Sequence, residues 1–184
     1  MDKKQEKFFT LLKLLDDCRQ KLYATYNLFV SCLAQAKQKR GELGEMYEQM
    51  LAYRDDLAMF EKSGKKVSKA KLTKYSKDAE VLKKAYADLV EQILHIMDDC
   101  ERCRKTYKGE VALCCKTYKL LKPDDMPSTI HKGYRQQVKL TRAILDKTEE
   151  VKESYKKVKD EVKTEYVLFN QLADSIDEKI SKLG

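Results

Sequence analysis

"FFTLLKLLDDCRQKLYATYNLFVSCLAQAKQKRGELGEMYEQMLAYRDDLAMF" (residues 8–60) decides the fold. Counted in sevens from Phe8, position a reads Phe8, Leu15, Leu22, Phe29, Ala36, Leu43, Met50, Leu57. All of these are apolar. Position d, three residues on, reads Leu11, Cys18, Thr25, Cys32, Lys39, Met46, Tyr53, Phe60. A stripe repeating every 3.5 residues runs down one face of a helix and is buried only by packing against other helices. The spacing predicts one coiled-coil helix over about 3–61. "KQKRGELGE" (37–45) interrupts the d series at Lys39 and holds Gly41 and Gly44. Paired breakers in a helix are a recognised cause of bends, so a bend is expected there.

The same pattern restarts twice. A second seam has Leu72, Ala79, Tyr86, Ile93, Cys100, Tyr107, Cys114 and Leu121 at a, and Tyr75, Leu82, Leu89, Ile96 and Cys103 at d. Past Cys103 the stripe moves to Val111 and Tyr118, as a 3.6-residue helix drifts from a 3.5-residue repeat. "KPDDMPST" (122–129) breaks the pattern with Pro123 and Pro127, and Ser128 or Thr129 can cap the next helix. The third seam has Tyr134, Thr141, Thr148, Tyr155, Val162, Phe169, Ile176 and Leu183 at a.

The expectation is an all-α protein of three long antiparallel helices in an elongated coiled-coil bundle. It forms a single helical domain, 1–184, with helix 1 over about 3–61, a basic loop 62–70, helix 2 over about 71–121, a loop 122–129 and helix 3 over about 130–183. At 1.5 Å per residue each helix is about 80 Å long. Tyr23, Tyr26, Tyr47, Val90, Met97 and Tyr118 stand beside the seams and widen them, which predicts packing against a second copy or a coiled-coil partner.

Composition agrees. Charged residues are 37 % of the chain, with two prolines and no tryptophan; an average protein has about a quarter charged residues. No apolar run is long enough to span a bilayer. The start "MDKKQEKFFTLLKLLDDC" reads as helix, its apolar run being cut by Lys13, not as a signal peptide. The six cysteines, at 18, 32, 100, 103, 114 and 115, sit among helical apolar positions. Reduced, cytoplasmic thiols packed in the core are the favoured reading. Cys100-Glu-Arg-Cys103 lies mid-helix and lacks the turn of a structural zinc site, which leaves metal or redox work as the lesser alternative. No phosphate-cradling, metalloprotease or nucleophile-elbow motif occurs, and there are two histidines, His95 and His131. No enzyme, cofactor or metal is expected.

The net charge of +8 is concentrated. Residues 62–84 carry 9 lysines against Asp78 and Glu80, whereas 1–61 carry 10 basic and 10 acidic side chains. A solvated loop explains this blandly. Nucleic acid is disfavoured, because arginine and a longer basic track are missing and Tyr75 alone could stack; a nuclear import signal is similarly weak. An anionic membrane needs only diffuse point charges, each lysine contributing about 1 kcal/mol near a charged leaflet.

The layout resembles a BAR domain. "KLTKYSKDAEVLKKAYADL" (71–89) is similar to the basic opening of that family's second helix, and "TEYVLFNQLADSIDEKISKL" (164–183) to its final helix. "DDMPSTIHKGY" sits where the family turns from its second helix to its third. The resemblance implies a bent, dimeric bundle that binds anionic phospholipid surfaces as a peripheral membrane protein. By it, Lys62, Lys65, Lys66, Lys69, Lys71, Lys74 and Lys77 are the candidate membrane contacts. The alternative is a structural or adaptor subunit that binds other coiled-coil proteins without touching membrane.

Overall fold

The computed structural model describes residues 2–120 and 128–184, with backbone alone at 118, 128–131, 134, 138, 145, 148 and 149. Three helices make up the described chain: α1 (Lys3–Ser63), α2 (Lys69–Leu120) and α3 (Ser128–Leu183). The prolines of the expected second loop lie outside the described residues. The all-α, three-helix architecture is the one the heptads demand, and every a position of α1 from Phe8 to Leu57 is buried.

The link between α1 and α2 covers 64–68, shorter than the expected 62–70. Two local devices shorten it. Gly64 adopts φ 62°, the left-handed conformation that ends a helix cheaply only at glycine. Ser68 Oγ then accepts the Lys71 N–H at 3.2 Å, capping α2 at once. Helix α1 continues unbroken through Lys39, Gly41 and Gly44. A Cβ at either glycine would meet nothing within 4 Å, so neither marks a close helix approach.

Contacts group the chain into two compact units, Met1–Leu33 with Asp98–Lys156, and Ala34–Met97 with Lys157–Gly184. In the second unit α1 and α2 run antiparallel, as Lys39 to Gln92 and Asp56 to Tyr75 show. Segment α3 lies along the e positions of α1. Arg40 Nε donates to both Glu165 carboxylate oxygens at 3.2 Å, its other nitrogens pair with Glu161 and Glu165, and Lys179 donates to Glu61 at 3.1 Å. The Arg40 guanidinium is pushed above its ordinary pKa, chiefly by the Glu165 hydrogen bonds, with burial opposing.

This placement of α3 revises one expectation. Val90 and Met97, which widen the second seam, are 4 % and 0 % exposed, so they lie in the chain's own core rather than awaiting a partner. Their e positions on α2 face the side that α3 takes. Position d of α1 faces the other way. That explains why Lys39 is tolerated at d: its ammonium leaves on the open side and reaches Gln92 at 3.1 Å.

At the centre of this unit Tyr86 stacks on Phe169, with ring centroids 3.6 Å apart and planes 4° from parallel. The Tyr86 hydroxyl points at the Glu165 carbonyl oxygen, 3.5 Å away. Burial pushes its pKa up to about 12, with the Glu165 charge adding to the shift.

In the first unit, Cys18, Leu22, Cys114 and Ile144 form the core, with Tyr107 and Val111 against it. Cys18 and Cys114 are joined as a disulfide with Cα atoms 5.8 Å apart. The expectation of six free thiols that only pack is therefore corrected at this pair. Opposed a and d positions of antiparallel helices fall inside the Cα separation a disulfide needs. The Cys18 sulfur also lies 3.2 Å from the Glu110 carbonyl oxygen, an acceptor ready for its S–H when the bond is reduced. Reduction with dithiothreitol is expected to lower stability by about 2–4 kcal/mol, because it frees a long closed loop in the unfolded chain. Denaturant unfolding with and without reductant checks this; coincident curves would show that the bond adds nothing.

Farther along this unit Arg104 donates to both oxygens of Glu101, at 2.9 and 2.7 Å. That pairing holds the Glu101 carboxyl below its ordinary value of 4.5 against the opposing effect of burial, with a smaller contribution from a Tyr155 hydrogen bond. A depressed carboxyl pKa contributes stability that is present above the unfolded value and lost as pH falls through the folded one. For a part-exposed pair the effect is about 0.5 kcal/mol. The stability of Glu101→Gln should therefore fall less than that of wild type between neutral pH and pH about 3. Parallel curves for the two proteins would refute the pairing's contribution.

Candidate functional site

The candidate site is the lysine cluster at the α1–α2 end of the second unit. Lys62 is in the last turn of α1, Lys65 and Lys66 are in the link, and Lys69, Lys71, Lys74 and Lys77 are on the first turns of α2. All seven are exposed. Among the described residues none of them pairs with a carboxylate. Neighbouring acids on α1 are engaged elsewhere: Asp55 with Arg54, Asp56 with Tyr75 and Glu61 with Lys179.

An aromatic cluster holds the helices beneath the charge. Tyr75 meets Tyr53 and Phe60 edge-on, with centroids 6.0 and 6.2 Å apart. Its hydroxyl donates to Asp56 at 3.0 Å. Burial and that bond raise the Tyr75 pKa, so the phenol stays a donor. The Lys71 ammonium lies 4.6 Å above the Phe60 ring, a cation–π contact that fixes its direction while leaving it exposed. Tyr75 is thus a structural anchor rather than a stacking platform.

Heptad positions show which way the cluster faces. In antiparallel helices the e positions of one adjoin the e positions of the other, and g adjoins g. Segment α3 occupies the e side. Position c lies beside g, so the c and g positions of α1 and α2 flank the side of this hairpin that α3 leaves open. Lys71 is at g and Lys74 at c of α2; Lys62 and Lys77 are at the outermost f positions. Two apolar residues occupy c positions there, Met59 on α1 and Val81 on α2. At 68 % and 71 % they are the most exposed large apolar side chains among the described residues. Lys84, at f one turn beyond Val81, extends the exposed charge.

Sequence reading missed Met59 and Val81. The signal was present, since both fall at c, a position solvated in a bundle where a polar residue is the norm. An apolar residue at c is informative only once the covering side of the third helix is known.

Little else in the molecule suggests chemistry. Among the described residues no group of three or more His, Cys, Asp or Glu side chains could hold a metal ion. A cleft of about 340 Å³ beside Arg40, Gly44, Tyr47, Glu48 and Tyr86 has its Arg40 and Glu165 paired with each other. His95 is exposed beside Asp88, Glu91 and Gln92, and the His131 side chain lies outside the described residues. No helix among the described residues is long and apolar enough to cross a membrane.

No family model matches the chain, and no curated protein sequence matches it. Among solved structures it is similar to a computationally designed three helix bundle, 15 % identical, covering 98 % of this chain and 87 % of that one, with a TM-score of 0.39. A likeness at that level carries no argument beyond the helices already described.

Proposed function

We propose that this chain is a non-enzymatic, BAR-like helical protein that binds or shapes anionic phospholipid surfaces as a homodimer. The observation that carries the reading is the lysine cluster: seven exposed lysines without carboxylate partners among the described residues, accompanied on the open side of the hairpin by exposed Met59 and Val81. Diffuse ammonium groups suit a charged leaflet because no bidentate geometry is required. Exposed apolar side chains beside them suit the boundary between headgroups and acyl chains.

Co-sedimentation with vesicles tests it. Binding should rise with phosphatidylserine content. It should fall steeply between about 0.1 M salt, where the Debye length is about 10 Å, and about 1 M, where it is about 3 Å. Binding indifferent to both lipid charge and salt would sink the proposal. Light scattering should give twice the chain mass. A monomer that ignores lipid would instead favour the adaptor reading, in which the lysines only keep one end solvated.

A further inference from the structure

All six cysteines fall in one compact unit, Met1–Leu33 with Asp98–Lys156. Their spacing becomes informative once the Cys18–Cys114 bond fixes the register of α1 against α2. Cys18 is at d of α1 and Cys114 at a of α2. In antiparallel helices, moving two heptads forward on α1 means moving two heptads back on α2. From Cys18 that step reaches Cys32, again at d. From Cys114 it reaches Cys100, again at a. Thr25 and Tyr107 occupy the intermediate layer, and the Thr25 hydroxyl donates to the carboxylate of Glu110, one turn from Tyr107, at 3.0 Å, in keeping with that register. Seam residues Leu22, Phe29, Cys100 and Cys114 are all buried, so the two stripes stay together over the span.

Cys32 is therefore to Cys100 what Cys18 is to Cys114. Both are free thiols, Cys100 fully buried and Cys32 half-buried. Cys32 also adjoins Cys100 and Cys103, one turn farther along α2, closely enough to help raise the pKa of each beyond what burial does.

We infer that Cys32 and Cys100 form a second cross-linking site between α1 and α2, closed by a small-molecule disulfide. The more accessible Cys32 sulfur, as thiolate, attacks the reagent's S–S bond; one reagent thiol leaves and Cys32 carries the other half. The Cys100 thiolate then displaces that half, which leaves as the second thiol. Two protein thiols are oxidised to one disulfide, and one reagent disulfide is reduced to two thiols. The two cysteine protons end on the departing thiols. Burial, with Cys32 and Cys103 adjoining, pushes the Cys100 thiol up to about 12. The second displacement is consequently the slow one, and the bond closes over a long incubation. Cys103 is the competitor, but it lies out of the layer that Cys32 shares with Cys100. Once closed, the bond clasps α1 to α2 at a second layer of this unit.

The test uses the full-length chain incubated with oxidised glutathione, acid-quenched, alkylated at its free thiols and digested with trypsin without reduction. Cleavage after Arg102 separates Cys100 from Cys103. Mass spectrometry should find Cys32–Cys100 and Cys18–Cys114 linked peptides, with Cys103 and Cys115 alkylated. Cys32→Ser should remove the first link and keep the second; Cys103→Ser should keep both. Alkylated Cys32 after prolonged oxidation, a glutathione adduct that stops at Cys32, or a Cys32–Cys103 link would each overturn the assignment.

Discussion

Phe169→Ala is expected to destabilise the protein by about 3–5 kcal/mol, the range for truncating a buried aromatic residue. Phe169 is 0 % exposed, at the a position where α3 meets α2. Its ring lies flat against Tyr86, itself 1 % exposed, so truncation strips one face of a second aromatic residue. Tyr86 cannot collapse into the gap without losing its parallel stack on Tyr166 and its reach to the Glu165 carbonyl. Denaturant unfolding gives the number. A loss below about 1 kcal/mol would mean that the core relaxes around the cavity and the stack is not its keystone. Two variants bracket the effect. Val167→Ala, at an exposed neighbour, should stay within about 0.5 kcal/mol of wild type. Tyr86→Phe removes only a long hydrogen bond and should cost about 1 kcal/mol or less.

The second large effect concerns the lysines. Changing Lys62, Lys65, Lys66, Lys69, Lys71, Lys74 and Lys77 together to glutamate should abolish binding to phosphatidylserine vesicles. Each lysine contributes about 1 kcal/mol near an anionic leaflet, and reversal adds repulsion, so even incomplete additivity weakens binding more than a thousandfold. The fold should survive, because all seven are exposed and none is ion-paired among the described residues. Among the described residues the side-chain interaction lost is the Lys71 contact with Phe60. Circular dichroism should show unchanged helix. Undiminished sedimentation with unchanged helix content would remove the basis of the membrane reading. Met59→Ser with Val81→Ser should weaken binding without altering its dependence on salt, because those side chains contribute apolar burial and no charge.

How much of this was legible beforehand differs from feature to feature. The a series from Phe8 to Leu57 named the buried stripe of α1 residue by residue, because periodicity is local information that a helix converts directly into a face. The lysine cluster was equally plain in composition. The helix limits around it were not. Gly64 and Ser68 end one helix and begin the next within five residues, so Lys62 and Lys69 are helical. Sequence reading set both inside a longer loop, since a lysine-rich stretch carries no periodicity of its own. The widened seam alone leaves Val90 and Met97 as surface for a partner, whereas the structure buries both in the chain's own core. The Cys18–Cys114 bond is not legible in the sequence, because nothing along one helix tells which residue of another lies opposite.

Three long helices with apolar stripes and one basic region follow from local residue order alone. Both properties depend on residues a few positions apart. Tertiary structure alone decided on which side of the hairpin α3 lies, and hence that Met59, Val81 and the outward lysines stay uncovered. It also decided the antiparallel register that joins Cys18 to Cys114 and sets Cys32 opposite Cys100. Heptads repeat, so sliding one helix past another by seven residues preserves every stripe. Only the packed helices select among those registers.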